Sequence, residues 1–323
     1  MKLGIIGAGM IVTELFNFIH EIKDIEITAI SATARSEEKL ISLCRKHGIG
    51  NYYLSTEELV HDPEVEVVYV AVPNHLHYPF ARQALEAGKH VICEKPFTSD
   101  LDEANHLAQI AKERDLMLIE AVTTNYLPNM LSIKEKLHQL GDIKIVSANY
   151  SQYSSRYDAF KNGETPPAFD PKMSGGALMD INIYNLNFAV TLFGRPASVD
   201  YQANIERGID TSGILTLDYG HFKCVCIGAK DCKAPLMNTI QGEKGCICIP
   251  SSVSLIKSYQ VIMNDGREDS FDFNQGRHQM YHEFCEFVRI IRERDRCLAD
   301  QMLQTSLITM AVQTEARKKA GLI

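Results

Sequence analysis

KLGIIGAGMIVTELFNFIHEIKDIEITAISATARS, residues 2–36, decides the fold. LGIIG (3–7) is a short apolar run of strand length; Leu15, Ile19 and Ile22 then fall on one helical face, and IEITAISA (25–32) alternates like a strand. The stretch therefore reads as a strand, a helix and a second strand. Gly7-Ala8-Gly9 sits where the first strand turns into the helix, and Met10 and Ile11 open that helix. Backbone N–H groups at such a turn face a pyrophosphate. Val12 stands where a third glycine would allow the closest helix–strand packing, so it pushes the helix slightly outward without removing the amide donors.

The same alternation continues downstream. A helix carrying Leu40, Leu43 and His47 is closed by Gly48, and Ser55 with Glu58 forms a capping box. VEVVYVA (65–71) is a strand buried on both faces, a helix runs from about Leu76 to Gly88, KHVICE (89–94) is a strand, and Asp100 caps a helix before LMLIE (116–120). Residues 1–121 are thus predicted to form an α/β, doubly wound parallel sheet of nucleotide-binding type. Beyond Pro128, which opens a helix, KIVSANYSQY (144–153), ASVDYQANI (197–205), SGILTLDY (212–219), HFKCVCIGA (221–229) and CICIP (246–250) alternate as strands with short turns. Residues 122–323 are therefore expected to form an α+β domain with an open, mainly antiparallel sheet. Two helices end it, one with a stripe of Met280, Phe284, Phe287 and Ile291, the other with Met302, Leu303, Leu307 and Met310.

Charge and composition narrow the partners. Lys and Arg total 33 against 41 Asp and Glu, a net −8, and no basic block interrupts the chain. Nucleic acid and anionic membrane both demand a basic footprint, so a small molecule is the expected ligand. The longest aliphatic stretch, VEVVYVAV (65–72), is far short of the roughly 20 residues that span a bilayer. The start of the sequence has no charged, long-apolar, cleavable leader pattern, and nine cysteines suit free, mostly buried thiols in a reducing compartment, so the chain is expected to be cytoplasmic. Cys224-x-Cys226 and Cys246-x-Cys248 have the wrong spacing for a zinc knuckle; period two puts each pair on one strand face, as core thiols, and no metal is expected.

The end of the second strand selects the cofactor. Thr33-Ala34-Arg35-Ser36 has no carboxylate to bind a ribose 2′-OH or to repel a 2′-phosphate, whereas Arg35 can pair with that phosphate and Ser36 can donate to it. NADP is favoured, with NAD still possible.

Three motifs in order, AVPNHLHY (71–78), CEKPF (93–97) and GGALMDINIY (175–184), resemble those of the Gfo/Idh/MocA oxidoreductases, and the resemblance spans essentially the whole chain. It implies a Rossmann domain followed by an open-sheet α/β domain, a nicotinamide cofactor, and hydride transfer to or from a carbinol or carbonyl carbon. Lys95 matches the family's active-site lysine, hydrogen-bonded to the reacting oxygen; the Lys95–Pro96 bond is implied to be cis. Asp180 and Tyr184, four apart and expected on one helix face, match the second motif: Tyr184 exchanges the substrate proton and Asp180 orients substrate hydroxyls or the lysine. His77, with Pro73 and Asn74, belongs to the loop that meets the nicotinamide ribose, as support or as a direct contact, and Glu94 is an orienting hydrogen-bond partner.

The substrate departs from the pattern. Where relatives carry arginine in E-A-x-x-x-R, EAVTTNYLP (120–128) has Asn125, and the chain has no tryptophan to line an aryl pocket. A sugar or polyol is therefore preferred, engaged by Asn125, Arg156, Asp180, Tyr184 and Asn187. The runner-up is an aryl dihydrodiol or dicarbonyl, walled by Tyr153, Tyr157 and Phe169. A non-catalytic NAD(P)-binding regulator is disfavoured because both Lys95 and Tyr184 are present. The resemblance also implies a homodimer or dimer of dimers through the C-terminal sheet.

Overall fold

Each apolar run of the first 121 residues becomes a strand covered on both sides. In the computed structural model, which describes residues 1–323, the elements are β1 (Lys2–Ile6), α1 (Met10–Leu15), β2 (Glu26–Ser31), α2 (Glu37–His47), β3 (Asn51–Tyr53), α3 (Thr56–His61), β4 (Val67–Val70), α4 (His77–Glu86), β5 (His90–Glu94), α5 (Leu101–Glu113) and β6 (Leu118–Ala121). Gly48 closes α2 in the left-handed region and the Asp100 carboxylate accepts from the Glu103 amide, as expected; the Ser55 hydroxyl accepts from the Glu57 amide, so α3 carries a simple serine cap in place of the expected capping box with Glu58. The six strands are all parallel in the order β3-β2-β1-β4-β5-β6, so the winding direction reverses between β1 and β4.

This first compact unit also takes in Met280–Leu307. The helix α10 (Gln279–Glu293) buries Met280, Phe284 and Phe287, and the Phe284 ring stands edge-on to Tyr69 of β4 at 5.3 Å and to Phe18 at 6.1 Å. An aromatic stripe of that size needs a sheet face to cover, and the parallel sheet supplies it. Residues 280–307 therefore pack apart from the rest of 122–323.

The second unit, Val122–Gln279 with Ile308–Ile323, contains α6 (Pro128–Lys136), β7 (Ile143–Ser151), α7 (Tyr157–Lys161), α8 (Ala177–Asp180), α9 (Asn182–Phe193), β8 (Ser198–Glu206), β9 (Ile209–Asp218), β10 (Lys223–Ala229), β11 (Asn238–Gly242), β12 (Gly245–Ile249), β13 (Tyr259–Met263) and β14 (Glu268–Phe271). The last turns of α11 (Arg296–Lys319) belong to it as well. The eight strands run β14-β13-β12-β11-β7-β10-β9-β8 and are antiparallel except for β7–β10. The inward face, with Val146, Leu215, Cys224, Ile240 and Ile247, packs with Leu186 and Val190 of α9. On the other face Ile145 and Ile214 are exposed and Val225 and Ile227 half-exposed.

Alternation also settles the thiols. Cys224 and Cys226 face the core, but Cys246 and Cys248 are half-exposed on the opposite face, which corrects the reading of all four as core thiols; within each pair the sulfurs are 3.8 Å apart. All nine cysteines are free and three are buried, fewer than expected. No helix is long and apolar enough to cross a membrane.

Candidate active site

Where winding reverses, the chain leaves β1 and β4 in opposite directions and opens a hollow at their carboxyl ends. Ile6 pairs with Val70, the Gly7 amide donates to the Ser31 carbonyl at 2.8 Å, and the Ala71 amide donates to the Ile6 carbonyl at 2.9 Å. Gly7 has φ +120°, and a Cβ there would run into the Ala71 carbonyl oxygen, so only glycine fits. Gly9 caps α1 with open space about it and no side-chain hydrogen bond, and Met10 is largely exposed. Ala8, Gly9, Met10 and half-buried Ile11 thus form an open backbone shelf that suits a dinucleotide pyrophosphate. Val12 is wholly buried beneath it.

β2 ends one strand away. Arg35 is exposed and its guanidinium has no partner in the chain; Ser36 is half-buried beside it. Lys39, from the first turn of α2, donates to the Ala8 carbonyl and so brings a second cation to the glycine turn. The sequence reading missed Lys39, although its spacing of four from Arg35 was the available signal. The nearest carboxylate of that turn, Glu37, accepts from the Tyr52 hydroxyl at 3.3 Å. Cations without a carboxylate fit a 2′-phosphate better than a free ribose hydroxyl.

β5 delivers Lys95 on a turn tied down from several sides. The Lys95–Pro96 peptide is cis. His77 is buried with Nδ1 2.7 Å from the Pro96 carbonyl and Nε2 3.0 Å from that of Val72, which staples the loop after β4 to the turn after β5. Burial pushes its imidazole down to about 4, against the pull of both carbonyls. A neutral imidazole has one N–H, so His77 donates to one of these carbonyls and packs against the other, and buried between them it supports the loop; Pro73 and Asn74 lead into the same loop, with the Leu76 amide donating to the Pro73 carbonyl at 2.8 Å. Glu94 accepts from the Tyr69 hydroxyl at 2.5 Å and from the Lys95 amide at 3.2 Å; burial pushes its carboxyl upward while both bonds and the Lys95 charge oppose that. Lys95 itself is half-buried.

In the second unit, Asp180 and Tyr184 do not share a helix. α8 ends at Asp180, Ile181 has φ −121° and ψ −45°, and α9 starts afresh at Asn182, which corrects the same-face expectation. Asn182 donates to the Cys226 carbonyl at 3.1 Å and Asn185 to the Ile227 carbonyl at 2.9 Å, so the new helix is docked on β10 by polar groups that a continuous helix would have carried elsewhere. Asp180 forms an ion pair with Lys230, a residue that the sequence reading did not single out. The Lys230 ammonium is 4% exposed, also donates to the Ala168 carbonyl at 3.1 Å, and lies 4.9 Å from the centre of the Phe169 ring. A lysine directly after the mostly apolar strand HFKCVCIGA (221–229) was the signal. Tyr184 is half-buried with its ring 5.9 Å from that of Tyr150.

Asn125 and Asn187 meet at Thr191, whose single hydroxyl donor lies 2.8 Å from the Asn125 side-chain oxygen and 3.2 Å from that of Asn187. Asn187 is wholly buried, which removes it as a direct substrate contact, whereas Arg156 is exposed just ahead of α7. Of the three aromatics that could wall an aryl pocket, Phe169 is wholly buried, Tyr157 is nearly so with its hydroxyl donated to Glu206 at 2.8 Å, and only Tyr153 is exposed.

Residues 1–122 match the family model described as an oxidoreductase family with an NAD-binding Rossmann fold, and residues 133–248 match the GFO/IDH/MocA C-terminal domain. The chain is 34% identical to scyllo-inositol 2-dehydrogenase (NADP(+)) of Bacillus subtilis strain 168, across all of this chain and 98% of that protein. It is 29% identical to trans-1,2-dihydrobenzene-1,2-diol dehydrogenase of Xenopus tropicalis, across 96% of this chain and 93% of the other. Its fold is similar to that of an aldose-aldose oxidoreductase from Caulobacter crescentus crystallised with glycerol, with a TM-score of 0.84 and 22% identity over 98% of each chain. With both halves matched and a relative aligned end to end, the chain belongs to the Gfo/Idh/MocA family of oxidoreductases.

Proposed function

We propose that the chain is an NADP-preferring dehydrogenase or reductase acting on the CH–OH or C=O carbon of a sugar or polyol. The observation that carries this reading is Lys95, held by Glu94 and by the His77 staple at the carboxyl end of a parallel strand, one strand beyond the reversal. A bound nicotinamide dinucleotide supplies the hydride donor or acceptor. Gly7, Ala8 and Gly9, with Met10 and Ile11, present amides to its pyrophosphate, and Arg35, Ser36 and Lys39 engage a 2′-phosphate. Pro73 and Asn74 border the nicotinamide ribose.

The Lys95 ammonium donates to the reacting oxygen and stabilises the alkoxide character that develops there. Tyr184 takes the proton in oxidation and returns it in reduction. Asp180, oriented by its ion pair with Lys230, accepts from a neighbouring substrate hydroxyl, and Asn125 and Arg156 extend the polar contacts. The Bacillus relative supports a polyol substrate and NADP. The diol dehydrogenase relatives favour an aryl diol as a second reading, but burial of Tyr157 and Phe169 leaves little exposed ring to stack on it.

The bare face of the eight-stranded sheet, with Ile145, Ile214, Val225 and Ile227, supports a homodimer or dimer of dimers. Nine free thiols fit a cytoplasmic enzyme. A panel of inositols, sugars, aryl diols and dicarbonyls, assayed by nicotinamide absorbance with NADP and with NAD, tests the reading. NADP-dependent oxidation of a polyol or sugar is expected; turnover of aryl diols alone would replace it with the second reading.

A further inference from the structure

Glu120 is the one charged residue of β6, and it is 4% exposed with neither carboxyl oxygen in a hydrogen bond. Across the β5–β6 register it pairs with Cys93, so it shares a sheet face with the thiol that donates to the Phe97 carbonyl, beneath the turn carrying Lys95. From the other elements packed against it, the Ser306 hydroxyl of α11 and the Phe97 amide face it without closing a bond of ordinary geometry, and Glu94 and Lys95 act on it through their charges. A third carboxyl, Glu283 of α10, is 2% exposed, has an unpartnered Oε2, and lies in the field of Glu94.

Glu94 and Glu120 both feel the Lys95 charge, and Glu283 feels that of Glu94, so the three carboxyls compete for ionisation. Glu94 has a hydroxyl and an amide bonded to its charged form. Glu283 has neither, and burial with the Glu94 charge pushes it well above the usual carboxylate range. Glu120 falls between them: burial pushes it up to about 7, opposed by the Ser306 hydroxyl and the Phe97 amide and, less strongly, by the Lys95 charge.

We propose that Glu120 is a positioning residue for Lys95, a buried carboxyl whose exchange of one proton with solvent tunes the charge held at the ammonium. When ionised, it strengthens the lysine's grip on its proton; when protonated, it releases that grip. The proposal rests on the catalytic reading of Lys95 for its importance but not for its test.

The test uses the full chain without added cofactor. Trace acetic anhydride is applied across a pH series, and acetylation of Lys95 is measured by peptide mass relative to exposed Lys172. In the wild type the logarithm of the Lys95 rate bends near neutrality as Glu120 ionises. In Glu120→Gln it rises without a bend and, above neutrality, is about tenfold faster, the equivalent of roughly one pKa unit. An unbent wild-type curve overturns the proposal even if the variant fails to fold, and so does superposition of the two curves in a folded variant. Because acetylation needs no turnover, it fails separately from the catalytic reading, which falls if Lys95→Met turns over normally.

Discussion

The two sheets spend their surfaces differently. In the parallel sheet all four residues of β4 are wholly buried, so helices leave only the carboxyl ends of the strands available. Gly7, Arg35, Pro73 and Lys95 follow β1, β2, β4 and β5 respectively. The eight-stranded sheet buries one face against α9 and leaves the other bare. In the first sheet a residue gains a role by following a strand; in the second it does so by the face it takes. Edits at the strand ends should therefore cost chemistry, and edits on the bare face should cost assembly.

The largest break of that contrast lies at Lys95. Lys95→Met should lower kcat/KM by about 10³-fold, the scale of losing one preorganised donor to a developing oxyanion, and Tyr184→Phe by roughly 10². Cofactor binding, followed by fluorescence, should persist in both. Normal turnover in Lys95→Met would detach the chemistry from this strand end.

Glu120 probes the same end through stability. Its folded pKa of about 7 lies above the ordinary carboxylate value, so the folded state binds the proton more tightly. The stabilisation is complete at acid pH, below the unfolded pKa, and is lost as pH rises through about 7. The cost of ionising it in place is on the order of 3 kcal/mol above that pH. Glu120→Gln, always neutral, should then be the more stable protein in alkaline urea melts, and its advantage should shrink towards pH 5. An advantage independent of pH would mean that the carboxyl does not titrate there.

The same contrast explains what the sequence made legible. β1, β4 and β5 are apolar runs bounded by turn residues, and Gly7 and Lys95 announce themselves by following them. β11, β13 and β14 went unread. In β11 a wholly buried Asn238, donating to the Ile249 and Ser251 carbonyls, interrupts the alternation, and β14 is an exposed edge with almost no apolar signal. The stripe on α10 showed that a helix face needed covering but not which sheet would cover it. Lys39 and Lys230 act through partners 31 and 50 residues away, and the break at Ile181 comes from Asn182 docking on β10. None of these is written in local propensity.

On the bare face, Ile214 and Ile227 are direct antiparallel partners. In the proposed dimer, Ile214→Ser would remove part of an apolar contact from each copy, worth about 2 kcal/mol in total. Light scattering on a dilution series should show dissociation at roughly thirtyfold higher concentration, with kcat unchanged when the dimer is saturated. An unchanged mass at every dilution would move the interface off this face.

The smallest expected effect sharpens the strand-end side. Arg35 has no partner to lose and Lys39 gives up only its bond to the Ala8 carbonyl, so replacing either with alanine should leave the fold intact. Each should weaken NADP by about tenfold, the worth of one charge-assisted hydrogen bond, and leave NAD within a factor of two or so, because NAD presents no 2′-phosphate. The double variant should approach equal use of the two cofactors, read as the ratio of their kcat/KM values with one substrate. If NADP and NAD weaken together, the two cations serve the pyrophosphate turn through Ala8 rather than the 2′ position, and cofactor choice has to be sought elsewhere along the carboxyl ends.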